Sequence, residues 1–151
     1  MRKIGGSFDI ECTLEQDNGY FGALCPPDGG LRFMMSGRCG IYYCLEDILA
    51  ADQKRVAYVP RYTCETVLAP FVKAGYQLRF YGVDREMHCR FDPAELDSIS
   101  VLSLCGYFGF CNYDRDFVRA CRERGVVILE DATHSLFSSG GIDPLCDYAA
   151  G

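Results

Sequence analysis

The sequence has no apolar run approaching the ~20 residues that a membrane-spanning helix needs. Its basic start, "MRKIGGSFDIECTLEQ", is followed by no apolar core, so it lacks the form of a signal peptide. No two of its ten cysteines (12, 25, 39, 44, 64, 89, 105, 111, 121 and 146) stand at C-x-x-C spacing, which argues against a zinc site. There is no excess of positive charge: the net charge is -6, which argues against nucleic acid or an anionic membrane as the main partner. Internal repeats, low-complexity tracts and clear linkers are also missing. Lysine is scarce, with only Lys3, Lys54 and Lys73.

What remains describes a globular chain. A length of 151 residues is enough for one domain with a sizeable core, and 49% apolar against 24% charged residues excludes disorder. Cysteines such as Cys105 in "VLSLCGYF" and Cys121 in "FVRACRERG" sit within apolar runs and read as small buried hydrophobes. Without a signal peptide, such a chain reads as a reduced, cytoplasmic protein and not a disulfide scaffold.

Four stretches have the short, β-branched and aromatic character of strands: 55–60, 76–83, 99–108 and 126–131. Helical spacing lies between them. Residues 36–53 place Ile41, Leu45, Ile48 and Leu49 on one face, and residues 112–125 do the same for Phe117, Val118 and Cys121. Asn112 or Asp114 can cap the latter helix and Gly125 can stop it. A third helix over 63–75 turns Val67, Leu68, Phe71 and Val72 inward, with Pro70 expected to kink or shorten it. Strands alternating with helices predict an α/β three-layer sandwich with a mainly parallel sheet.

The run "VVILEDATHS" (126–135) ends an apolar strand in two carboxylates and a histidine. Ligands of open α/β sheets bind beyond the carboxyl ends of strands, which makes Asp131, Thr133, His134 and Ser135 a candidate site. The plain alternative is that Asp131 caps the next turn and His134 is a satisfied histidine. In "MMSGRCGIYY" a Ser36-Gly37 turn opens directly into an amphipathic helix, where unpaired N–H groups can hold phosphate and Arg38 can add charge. It matches neither G-x-G-x-x-G nor a P-loop, and on the local residues alone an ordinary cap by Ser36 is the better explanation.

The ordered set "SGRCGI", "VPRYTCETVLAPFVKAGYQLRFYGVD", "FDPAEL", "LCGYFGF", "VVILEDATHSLFS" and "DYAAG" resembles the DegT/DnrJ/StrS-type sugar aminotransferases over about residues 30–151. These are pyridoxal 5'-phosphate (PLP) enzymes of fold type I. The resemblance implies an N-terminal arm over 1–30 and, over 31–151, the N-terminal part of the PLP-binding large domain. It implies that Ser36, Gly37, Arg38 and Cys39 form the phosphate turn, with Arg38 where the family has Thr. It further implies that Asp131 meets the cofactor's pyridine nitrogen and His134 its ring oxygen. Cys64 falls where an aromatic usually stacks on the ring, leaving Tyr62 or Tyr107 to supply that contact.

Enzymes of this family bind the cofactor through a lysine. Lys3, Lys54 and Lys73 all stand apart from the Asp131 segment, and the family's lysine follows the stretch matched by "DYAAG". The chain therefore reads as the N-terminal portion of a PLP-dependent aminotransferase that transfers an amino group to a keto, sugar-linked substrate and is inactive by itself. An alternative is a non-catalytic PLP- or phosphate-binding regulatory module. A Cys–His hydrolase built on His134 is a third reading, though no thiol is singled out. The resemblance also implies a homodimer, and an incomplete sheet would leave an open edge that favours self-association.

Overall fold

The computed structural model describes Gly19, residues 30–51, 54–138 and 142–151. The arm expected over 1–30 lies, apart from Gly19 and Gly30, outside the described residues. Residues 32–151 form one compact unit.

Among the described residues, three α-helices and six strands make up this unit: α1 (Gly37–Ala51), β1 (Val56–Pro60), α2 (Glu65–Lys73), β2 (Gln77–Val83), β3 (Cys89–Arg90), β4 (Val101–Cys105), α3 (Arg115–Glu123), β5 (Val127–Asp131) and β6 (Tyr148–Ala150). The sheet order is β3-β2-β1-β4-β5-β6. Every neighbouring pair is parallel except β2 with β3. The chain builds outward from β1 to β2, then returns to place β4 on the other side of β1. That reversal leaves a crevice at the carboxyl ends of β1 and β4.

The period of two along a strand sorts the core into two layers. Ala57, Val59, Val101 and Leu129 face α1 and α2, where they meet Ile41, Leu45, Ile48 and Phe71. Tyr58, Leu102, Leu104 and Ile128 face α3, where they meet Phe117, Val118 and Cys121. On that side Phe91 stacks on Phe117 with ring centroids 4.5 Å apart, and Tyr81 meets Phe91 edge-on at 4.8 Å. Aromatic pairs of this kind add ~0.5–1.5 kcal/mol each beyond simple burial. The fold is thus the expected α/β three-layer sandwich with a mainly parallel sheet.

Local signals explain most boundaries. Asp114 caps α3, its Oδ1 accepting from the Asp116 and Phe117 amides at 2.9 and 3.3 Å. Gly125 follows the helix at φ 74°, a left-handed conformation that glycine adopts without penalty. Pro70 sits inside α2, which ends at Lys73. Val72, expected inward on α2, is instead 61% exposed, because it stands about 100° round the helix from the buried Phe71, at the edge of the apolar arc.

The strand expected over 99–108 is shorter. It stops at Cys105, because residues 107–109 wind into a 3-10 turn in which Phe108 takes φ 55°. Two strands were not anticipated: the two-residue β3 and the three-residue β6 are too short to show any periodicity. Cys105 and Cys121 are buried as expected, and every described cysteine is free. No helix among the described residues is long and apolar enough to cross a membrane.

Candidate functional site

The alternation that sorts the core also separates Glu130 from Asp131. Glu130 points to the α3 side, where it is fully buried. Its carboxylate accepts from Ser135 Oγ at 3.0 Å, the Asp143 amide at 2.9 Å and Cys146 Sγ at 3.6 Å. This bonded carboxylate joins β5 to the two loops that follow it. Asp131, one residue on, emerges on the α1 side at the strand's carboxyl end.

There it lines a cleft of about 670 Å³, within the range of small-molecule sites, ~300–1,000 Å³. Four segments converge on it: the start of α1 (Ser36, Gly37, Arg38), the loop after β1 (Tyr62, Thr63, Cys64), the end of β4 with its turn (Cys105, Tyr107, Phe108), and the turn after β5 (Asp131, Thr133, His134). The approach of the first to the last is close: a Cβ on Gly37 would stand 3.9 Å from Thr133 Oγ1.

Asp131 is 7% exposed. Its Oδ1 accepts both the Thr133 amide (3.2 Å) and the Thr133 hydroxyl (2.6 Å). The plain turn-capping role is therefore real, and one oxygen performs it. Among the described residues no hydrogen bond reaches Oδ2. At the facing helix start, the Ser36 carbonyl accepts the Cys39 and Gly40 amides at 3.0 and 3.1 Å. Among the described residues no acceptor takes the Gly37 or Arg38 N–H. The Ser36 hydroxyl donates to Cys39 Sγ at 3.3 Å instead of capping the backbone. A 15-residue helix thus presents unpaired N–H groups and Arg38 to the cleft, an arrangement suited to an anion.

Of the residues singled out from sequence, Ser36, Gly37, Arg38, Cys64, Asp131 and His134 line this one cleft; Cys39 does not. Cys64 precedes α2 and is exposed. Its thiol lies below the ordinary value, first because of its hydrogen bond with the Thr66 hydroxyl (2.7 Å) and next because of the Val67 amide. Cys105, at the cleft floor, is pushed up to about 12 by burial.

Of the two aromatic alternatives, Tyr107 is buried and donates its hydroxyl to the Tyr62 carbonyl, so it acts as a strut. Tyr62, 57% exposed, is the ring available to a ligand. Lys54 donates to the Asp97 and Ile99 carbonyls, and Lys73 lies over the Tyr42 ring; neither lines the cleft.

Thr63, Thr66, Cys105 and Phe108 were not anticipated as lining residues. Most stand just beyond β1 or β4, so the carboxyl-end rule applied to every strand, and not to β5 alone, would have found them.

The crossed parallel sheet, with its crevice beside a helix start, has the architecture of part of an aminotransferase-fold domain, as comparison with solved structures shows. No family model matches the sequence, and no curated protein does either. Solved structures do match. An aromatic-amino-acid aminotransferase from Burkholderia pseudomallei, covalently bound to pyridoxal phosphate, superposes with TM-score 0.57 at 16% identity, over 83% of this chain and 38% of that one. The aminotransferase AspB of Helicobacter pylori gives 0.52 at 9% identity, over 63% and 28%. The sugar aminotransferase CalS13 of Micromonospora echinospora gives 0.51 at 19%, over 67% and 30%. The chain spans well under half the length of these neighbours.

Proposed function

We propose that the chain is part of a PLP-dependent aminotransferase of the DegT type, and that the cleft holds the cofactor. The observation that carries this reading is the pairing of a nearly buried carboxylate, its Oδ2 unbonded among the described residues, with a helix start whose first N–H groups have no acceptor. The donor set suits PLP at both ends. Asp131 would hold a proton on the pyridine nitrogen, and the α1 start with Ser36 and Arg38 would hold the phosphate. Bound there, the cofactor supplies an electron sink for amino-group transfer. Thr133 keeps Asp131 oriented through two hydrogen bonds. Tyr62 offers a ring face beside Cys64, and His134 contributes an imidazole at the rim.

The substrates of this reading are an amino donor and a keto acceptor, with a sugar-linked acceptor favoured by the ordered motifs. A homodimer is part of the same proposal. Its support is the exposure of Met35 and Phe110. No described lysine reaches the cleft, so the chain alone is expected to bind the cofactor reversibly and to turn nothing over.

Equilibrium binding of PLP and of unphosphorylated pyridoxal tests the assignment. PLP is expected to bind at least tenfold more tightly, about 1.4 kcal/mol. Equal affinities, or a borohydride-trapped adduct on Lys54 or Lys73 required for turnover, would overturn it.

A further inference from the structure

We infer that Phe108 is the positioning residue that orients His134, holding the neutral imidazole as an Nε2–H donor for a ligand oxygen. The cofactor reading above supplies the identity of that ligand; the way His134 is held rests on geometry alone.

Phe108 has φ 55° and ψ 23°. A bulky residue in the left-handed region is strained and calls for a reason. The surrounding loop enforces it. The Gly109 amide donates to the Gly106 carbonyl at 3.1 Å, and the Phe110 amide to the Tyr107 carbonyl at 2.9 Å. Tyr107 is itself anchored by burial and by the Tyr62 carbonyl. Gly109, at φ 87°, lies so near the neighbouring turn that a Cβ would stand 2.5 Å from Ser138 Oγ and 3.5 Å from the His134 carbonyl. Gly106 is similarly close to Ser135. The 106–110 loop and the 132–138 turn are therefore packed as one unit.

Two contacts result from this arrangement. The Phe108 amide donates to His134 Nδ1 at 3.4 Å. The Phe108 ring lies over the imidazole with centroids 5.6 Å apart and planes 19° from parallel. A nitrogen that accepts a hydrogen bond carries no proton, so the neutral ring keeps its hydrogen on Nε2. The backbone of His134 is held from the other side, by Ser135 and Leu136 amides bonded to the Ala132 carbonyl at 3.0 and 2.8 Å. With Asp131 as the acceptor in the cleft and α1 as the anion site, Nε2–H is a donor suited to a ring hydroxylate or carbonyl oxygen.

The test is long-range proton–nitrogen NMR on the ligand-free chain, at a pH where the imidazoles are neutral. The chain has two histidines, so His88→Gln assigns the His134 signals. A dominant Nε2–H tautomer is expected. An Nδ1–H tautomer, or the averaged signal of an imidazole exchanging freely, overturns the inference. Phe108→Gly keeps both the backbone N–H and the left-handed conformation but removes the ring. It is expected to leave the unfolding midpoint near that of the parent while raising the mobility of the His134 ring. An unchanged ring order parameter in that variant counts against Phe108. A fixed tautomer in a chain that does not bind PLP supports the orientation and removes the cofactor reading, whereas PLP binding with an averaged tautomer does the reverse.

Discussion

Ser135→Ala should destabilise the fold by more than its size implies. Ser135 is 1% exposed and its hydroxyl donates at 3.0 Å to Glu130, a carboxylate with no exposure at all. Alanine keeps the Cβ that packs against Gly106, so the change removes one hydrogen bond and little packing. Glu130 would retain the Asp143 amide and the longer Cys146 contact. Leaving a buried acceptor without one of its donors costs ~1–3 kcal/mol. With a urea dependence of ~1–3 kcal/mol per molar, the unfolding midpoint should fall by about 1 M at unchanged slope. Circular dichroism and tyrosine fluorescence both follow the transition, the chain having ten tyrosines and no tryptophan. Asp97→Ala is the control: that carboxylate is 92% exposed and pairs with Arg124 at the surface, so its loss should cost under ~0.5 kcal/mol. If Ser135→Ala behaves like Asp97→Ala, Glu130 is not the junction its geometry indicates.

Asp114→Ala removes both cap bonds of α3 and should lower stability by ~0.5–2 kcal/mol in the same urea assay. Gly125→Ala places a Cβ at φ 74° where nothing lies within 4 Å, so its cost, ~1 kcal/mol, is purely conformational, and Gly125→Asn should recover part of it. Iodoacetamide should label Cys64 before Cys44, Cys105 and Cys121, since burial pushes those thiols up to about 11, about 12 and about 12. A depressed thiol keeps its thiolate to lower pH, so Cys64 labelling should persist as pH falls below the ordinary thiol range, and Thr66→Val should move that profile upward. Peptide mapping reads both effects, and uniform labelling would contradict them.

The layer order and most elements were legible in the sequence because β1, β4 and β5 are short apolar runs and each helix carries an apolar stripe, with Asp114 capping α3. Strand β4 was over-extended because "GYF" after Cys105 has β-type composition; the 3-10 turn there is imposed by Gly106 and Gly109 fitting against Ser135 and Ser138, a tertiary constraint. Strand β6 could not be read, since Tyr148–Ala150 acquires its conformation by pairing with β5 and by Tyr148 donating to Asp47 at 2.6 Å. Within the cleft, Asp131 and the Ser36–Arg38 turn were visible because they stand at a strand end and a helix start. Phe108 was not, because its relation to His134 spans 26 residues and depends on a backbone conformation that composition does not encode.

Backbone amide shift mapping during titration with PLP tests the central claim most directly. The cleft reading requires the largest changes at Gly37, Arg38, Thr63, Asp131, Thr133 and His134, with Asp131→Asn weakening binding about tenfold, or ~1.4 kcal/mol. Changes confined to residues outside the cleft, or an Asp131→Asn chain that binds PLP as tightly as the parent, would contradict it.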